Sequence, residues 1–271
     1  MAEVFDELRA ALGIAYVPLE FQAFAAYPEF LDLQWRAIRP LFATREFFDL
    51  AERLQAEAYT YVHNYFKVPP LGDGLTVSQA TAVFDQICRV QPAVLLILSA
   101  QLQAFDASVG KPADIHPADR IASAPAPDFV DVESAPIGVR RVMEEIRHTL
   151  DLPFCGDEQR ALAQWPDLLF AFWQTIKTML QSVMHEDAIF RMRESAWNCA
   201  QEIPRSIEME FPRLLEGGVN EEDIAIVTRL TELLFRGSAA SVLNASFAKI
   251  GLEGGNRVET HSQGPAKEKV A

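Results

Sequence analysis

The sequence predicts an all-α protein made of a tandem duplicated helical repeat, folded as an intramolecular pseudo-dimer. Three observations carry this reading. Apolar residues recur at helical spacing along most of the chain, and no useful length alternates at period two. The stretches "YPEFLDLQWRAIRPLF" (27–42) and "WPDLLFAFWQTIKTML" (165–180) both open aromatic-Pro-acid, carry a Trp seven residues after the proline and add an Ile three further on. The register that lays Pro28 on Pro166 needs no gap from Leu12 to Tyr61. It superposes Leu12/Leu150, Glu20/Glu158, Ala23/Ala161, Leu31/Leu169, Trp35/Trp173, Ile38/Ile176, Asp49/Asp187 and Arg53/Arg191. A chance register does not match aromatics, prolines and a helix stripe together, so the chain reads as two copies of one unit.

Copy one occupies 1–106. Pro28 sits where a helix tolerates proline, in its first turn, and Pro166 repeats it. Leu31, Trp35, Ile38 and Phe42 then form one stripe, and Leu169, Trp173, Ile176 and Leu180 form its counterpart. Thr44 is the expected N-cap of a long amphipathic helix. Thr76 and Gln79 have capping-box spacing, and Asn220 opens the matching helix of copy two. The segment "QPAVLLILSAQLQAF" is apolar nearly all round, which predicts a buried helix. Residues 107–137, rich in Pro, Ala, Ser and Asp, read as a linker. Copy two is 138–250, and 251–271 is expected to be a disordered polar tail. Arg53 and Arg191 are expected to pair with Asp49 and Asp187 four residues earlier, as surface features.

The chain has 271 residues, 49% hydrophobic and 23% charged, which is ordinary for a globular protein. A net charge of −14 argues against nucleic acid and against an anionic membrane surface, since both need basic patches. No run of 18 apolar residues occurs, so no membrane span is expected. The opening "MAEVFDELRAALG" is acidic, unlike the basic start of a secretory signal. Cys88, Cys155 and Cys199 include no CxxC pair, which fits buried thiols in a reducing, cytoplasmic setting.

The sequence contains no GxGxxG, Walker A, HExxH or GxSxG pattern, and its five histidines lack ligand spacing. No metal and no cofactor are expected. What remains is carboxylate chemistry. Gly156 and Asp157 read as a helix start, which puts Glu158 in the first turn. Two readings stay open there. An acid in a first turn complements the helix dipole, worth about 0.3–1 kcal/mol. Alternatively it is a general base facing a cleft between the copies. The dipole lowers its pKa, so a base would need desolvation to offset that.

The segment "VRRVMEEIRHTLDLPFCGDEQRALAQWPDLL" (139–169), with "RVQPAVLLILSAQLQAF" (89–105), resembles the group I 2-haloacid dehalogenases, the halocarboxylic acid dehydrogenase family. The resemblance extends over roughly 12–105 and 138–250. It implies hydrolytic removal of halogen from C2 of a short 2-haloalkanoic acid. In that chemistry a carboxylate near the start of copy two activates water, and no covalent intermediate forms. It also implies a pocket between the copies, a small 2-substituted carboxylic acid as partner, and a homodimer. The family's base falls on Glu158, with Asp157 one residue earlier; its pocket positions fall on Trp35, Ile38, Gln91, Val94 and Phe172. Glu in place of Asp, Gln91 in place of Asn and the apolar Phe172 depart from the family pattern. The alternative implied by those departures is a non-catalytic protein of the same fold that binds a small acid.

Overall fold

In the computed structural model, which describes residues 1–118 and 127–256, the apolar segment around 91–105 lies inside a helix of 33 residues. The helices in chain order are α1 (Ala2–Leu12), α2 (Leu19–Ala23), α3 (Pro28–Ile38), α4 (Arg45–Tyr65), α5 (Gly74–Asp106), α6 (Ile137–Leu150), α7 (Asp157–Leu162), α8 (Pro166–Leu180), α9 (Val183–Ala200), α10 (Phe211–Glu216) and α11 (Glu221–Leu252). Short 3₁₀ turns follow α2 and α3. Among the described residues there is no β-strand, only the isolated bridges Thr44–Pro117 and Val109–Ile207. The protein is all-α, as its periodicity predicts.

α5 and α11 form the central pair. Lys249, near the end of α11, is ion-paired with Asp85 near the start of α5. Gln101, near the end of α5, donates to Thr231 Oγ1 near the start of α11 at 2.7 Å. The two helices therefore run antiparallel. Val94, Leu95, Leu96 and Ile97 on α5 and Ala239, Val242, Leu243 and Phe247 on α11 are all buried. Each large aliphatic side chain so buried contributes about 1.5–3 kcal/mol. α4 and α9 pack against both members of the pair. α5 is long and apolar enough to cross a membrane, yet 72% of its most apolar window is buried within the fold.

The local signals act as their chemistry dictates, with three exceptions. Pro28 and Pro166 stand in the first turns of α3 and α8. Asn220 caps α11, its Oδ1 accepting from Asp223 N–H at 2.8 Å. Thr44 precedes α4 as expected, but its hydroxyl donates to Leu41 O at 2.6 Å and does not cap the helix. α5 begins at Gly74 after Asp73, ahead of the Thr76 capping-box position. Arg53 does not pair with Asp49: it reaches Glu202 at 3.2 Å and Cys199 Sγ at 2.9 Å, which ties α4 to the end of α9. The longer reach wins because Glu202 takes two guanidinium N–H groups, one on each oxygen, both at 3.2 Å. Arg191 does pair with Asp187, at 2.8 Å.

Several contacts occur twice. Trp35 Nε1 donates to Glu7 at 2.6 Å, and Trp173 Nε1 donates to Glu145 at 2.8 Å. Arg39 pairs with Glu7, as Lys177 pairs with Glu145. Gly13 ends α1 in the left-handed region at φ 63°, and Asp151 ends α6 there at φ 51°.

The segment expected to be a linker is tied down where it is described. Val109 and Ile207 exchange two backbone hydrogen bonds, and Lys111 N–H donates to Ile203 O at 2.9 Å. Its central part, 119–126, lies outside the described residues, as does the expected disordered tail from 257 onward. Before that point α11 continues to Leu252, and Asn256 Oδ1 accepts from Val68 N–H at 2.8 Å.

A buried amide chain joins three helices, with Gln34 Nε2 donating to Gln101 Oε1 at 2.5 Å and Gln101 donating on to Thr231. Replacing Gln101 with Leu leaves the Gln34 amide without its acceptor. The expected cost is about 1–3 kcal/mol, read by urea unfolding; an unchanged midpoint would show that the chain carries no stability.

Candidate active site

The chain is extended at Gly156, the N-cap of α7, so Asp157 and Glu158 are the first two helical residues. Both side chains enter the interior. Asp157 and Glu158 are fully buried, and Glu20, from the first turn of α2, is 5% exposed beside them. α7 packs against α5, α8 and α11.

Each carboxylate has distinct partners. Glu158 accepts from Ser241 Oγ at 2.9 and 2.8 Å through its two oxygens, and from Gln159 Nε2 at 2.6 Å. Asp157 accepts from Leu19 N–H at 3.3 Å and pairs with Arg160 at 3.3 Å. Arg160 also lies over the Phe129 ring at 5.0 Å. Glu20 Oε1 accepts from Ser238 Oγ at 2.8 Å, while its Oε2 has no partner. Ser238 and Ser241 are three residues apart, so one face of α11 holds both glutamates.

Burial dominates the electrostatics. It pushes Glu158 up to about 7; the charge of Glu20 adds to this, and the Ser241, backbone and Gln159 hydrogen bonds oppose it. Burial also raises Glu20, against its backbone and Ser238 hydrogen bonds. Asp157 is raised by burial first and then by the charge of Glu20, with Arg160 pulling the other way. Desolvation thus outweighs the pull of the helix start at Glu158. Tyr16, buried nearby, is raised by burial and by Asp157 and Glu20, and its hydroxyl has no partner.

The other expected pocket residues fall into two groups. Gln91 and Val94 lie fully buried on α5, which contacts α7, and neither amide atom of Gln91 has a partner. Most buried amides are hydrogen-bonded within the fold, and Gln91 departs from that pattern. Phe172, on α8, packs edge-on against Phe247 of α11 with centroids 6.3 Å apart. Trp35 and Ile38 belong to α3; Trp35 is bonded to Glu7 of α1 and packs 5.8 Å from Phe42, and Ile38 lies in the core. Cys88, one turn before Gln91, is pushed up to about 12 by burial, with Glu158 among the charges that raise it. Its thiol lies in the wall of a cavity of about 500 Å³, together with Tyr59, Arg89 and Lys249.

Sequence reasoning puts Asp157 and Glu158 at a helix start but does not reach the residues that hold them. Ser238, Ser241 and Asn244 repeat at every third position within "GSAASVLNAS", a polar row in a small-residue helix. That row was the available signal.

The site is a cluster of three buried carboxyls, Glu20, Asp157 and Glu158, gathered at the starts of α2 and α7. The sequence profile of the halocarboxylic acid dehydrogenase DehI family matches residues 15–159, and the chain belongs to that family. It is similar to an (R)-2-haloacid dehalogenase of Pseudomonas putida, 22% identical over 264 residues, covering 92% of this chain and 88% of the relative. A second (R)-2-haloacid dehalogenase, from Rhizobium sp. (strain NHG3), is 21% identical over 233 residues, 79% of this chain and 87% of the relative. Among solved structures, a D-2-haloacid dehalogenase in complex with L-LA superposes with a TM-score of 0.88 at 22% identity, over 93% of this chain and 91% of the other. A mutant of a D-2-haloacid dehalogenase with D-2-CPA matches equally well.

A carboxyl raised on folding makes stability fall as pH rises. Between its ordinary value of 4.5 and about 7, the unfolded chain releases the proton that folded Glu158 retains. The stabilisation is fully present below about 4.5 and lost by about 7, on the order of 3 kcal/mol. Glu158→Gln should remove this dependence, so its stability relative to wild type rises from pH 4.5 to pH 8 in urea titrations. A difference that does not change with pH would mean that Glu158 titrates normally.

Proposed function

We propose that the protein is a hydrolytic 2-haloacid dehalogenase in which Glu158 activates water for direct displacement of halide from C2 of a short 2-haloalkanoic acid. The observation that carries this is the Glu158 carboxylate, sealed between α7 and α11 and oriented by Ser241 and Gln159. With a value near 7 it exchanges a proton readily at neutral pH, as a general base must. In this reading Glu158 takes a proton from water as the water oxygen bonds to C2. The carbon–halogen bond breaks opposite, its electron pair leaving with the halide, and C2 inverts. Orientation and removal of bulk water together supply several kcal/mol, and the base adds about 10²–10⁴ in rate. Gln91, with its free amide, would bind the substrate carboxylate beside Val94, and Phe172 would close the apolar wall. The cavity at Cys88 opens one helical turn from Gln91 and supports an approach from that side.

The two halves, in this reading, are copies of one unit that build a single site between them. The paired Trp–Glu–cation contacts and the paired left-handed helix ends support it. So does the contact of Asp157 with Leu19, its own counterpart in the register of Pro28 on Pro166. A homodimer is supported by Val183, Phe190 and Trp197, an exposed apolar row at seven-residue spacing on α9. Light scattering is expected to give twice the chain mass; a monomer at micromolar concentration would refute the dimer.

Halide release from each enantiomer of 2-chloropropionate tests the activity. Glu158→Gln should lower kcat by at least about 100-fold in a folded protein, and wild-type kcat should rise with pH through about 7. Asp157→Asn should keep most of the activity. Loss in Asp157→Asn alone would transfer the role of base to Asp157. No release from either enantiomer by folded wild type would leave a binding protein of this fold.

A further inference from the structure

Gly156 stands at the N-cap of α7 with φ −67° and ψ 170°, a conformation open to any residue. The backbone therefore does not ask for glycine, but the surroundings do. A Cβ at 156 would lie 2.4 Å from Glu158 Oε2, 2.9 Å from Glu158 Cδ and 2.5 Å from Ser241 Oγ. Ordinary contact is about 3.5–4 Å. The Glu158 side chain thus turns back over its own N-cap, and its carboxylate fills the volume that any side chain at 156 would need. That same fold-back brings both oxygens onto Ser241.

We propose that Gly156 is a positioning residue for Glu158: the missing side chain at 156 accommodates the extra methylene of glutamate, so 156 and 158 form a matched pair. The inference rests on the reading of Glu158 as the base. An aspartate at 158 is shorter by one carbon–carbon bond, about 1.5 Å, and would vacate the contested volume. Ser241 could then rotate away from a methyl group. Gly with Glu and Ala with Asp are each self-consistent, whereas Ala with Glu is not. A displaced carboxylate affects the chemical step more than binding, since roughly 1 Å of misplacement can cost about 100-fold.

The test compares wild type, Gly156→Ala, Glu158→Asp and the double variant in halide release from 2-chloropropionate across pH, with urea unfolding of each. Gly156→Ala is expected to lower kcat about 100-fold with little change in KM, and to move the midpoint of the pH profile. The double variant is expected to recover at least about tenfold over Gly156→Ala. Gly156→Ala within threefold of wild type, or a double variant no better than Gly156→Ala, would overturn the pairing. If Gly156→Ala fails to fold while the double variant folds, the pairing stands; if neither folds, it is overturned. If wild type releases no halide, the base reading fails separately. Unfolding then decides the pairing: relief of the Gly156→Ala destabilisation by Glu158→Asp supports it, and simple additivity refutes it.

Discussion

The antiparallel packing of α5 on α11 is the constraint on which the site depends. α11 contributes the hydroxyls of Ser238 and Ser241, and α5 contributes the free amide of Gln91. Both sets of groups are useful only where water is excluded. Exclusion comes from the apolar bulk of Val94 to Ile97 on one helix and Val242, Leu243 and Phe247 on the other. Gly237 on α11 lets the segment that leads into α7 approach closely, since a Cβ there would lie 3.2 Å from the Phe154 ring. The same burial that stabilises the fold therefore sets the local dielectric, and through it the protonation of the cluster.

Three buried carboxyls in one region cannot all be ionised. The only cation bonded to them among the described residues is Arg160, and it pairs with Asp157. Each further charge would lack a counterion, so protons are retained. Hydrogen bonds then decide which group ionises most readily. Glu158 has donors from Ser241 and Gln159, whereas Glu20 has Ser238 on one oxygen and nothing on the other. The cluster titrates as a set, and the charge of each member depends on its neighbours. Fold stability is thereby traded for a carboxylate that changes state near neutral pH.

Much of this was legible in the sequence. Stripes such as Leu31–Trp35–Ile38 and prolines such as Pro28 and Pro166 act locally, through helix periodicity and a missing N–H, so they place helices without tertiary knowledge. Asp157 and Glu158 were visible because a helix start is also local. The partners of those acids were not, because Ser241 is 83 residues from Glu158 and Ser238 is 218 from Glu20. Only three-dimensional packing pairs them. Arg53 illustrates the same limit. Spacing favours Asp49, but a long flexible side chain reaches Glu202, which sequence distance conceals. Burial, not spacing, likewise decides the pKa of Glu158.

Two glutamates in register raise a final question: why they do not behave alike. Their surroundings differ at the residue two positions earlier. Pro18 precedes α2 where Gly156 precedes α7, so a ring stands at one helix start and no side chain at the other. Glu158 folds back into that space and meets Ser241 with both oxygens, while Glu20 extends to Ser238 with one. Arg160 falls on Gln22 in the register of Pro28 on Pro166, so α7 carries a positive charge beside its acids where α2 has a neutral amide. The two carboxylates are thus unlike, one held by several donors and one left partly unpaired. Unlike surroundings let neighbouring carboxyls hold different charges at the same pH.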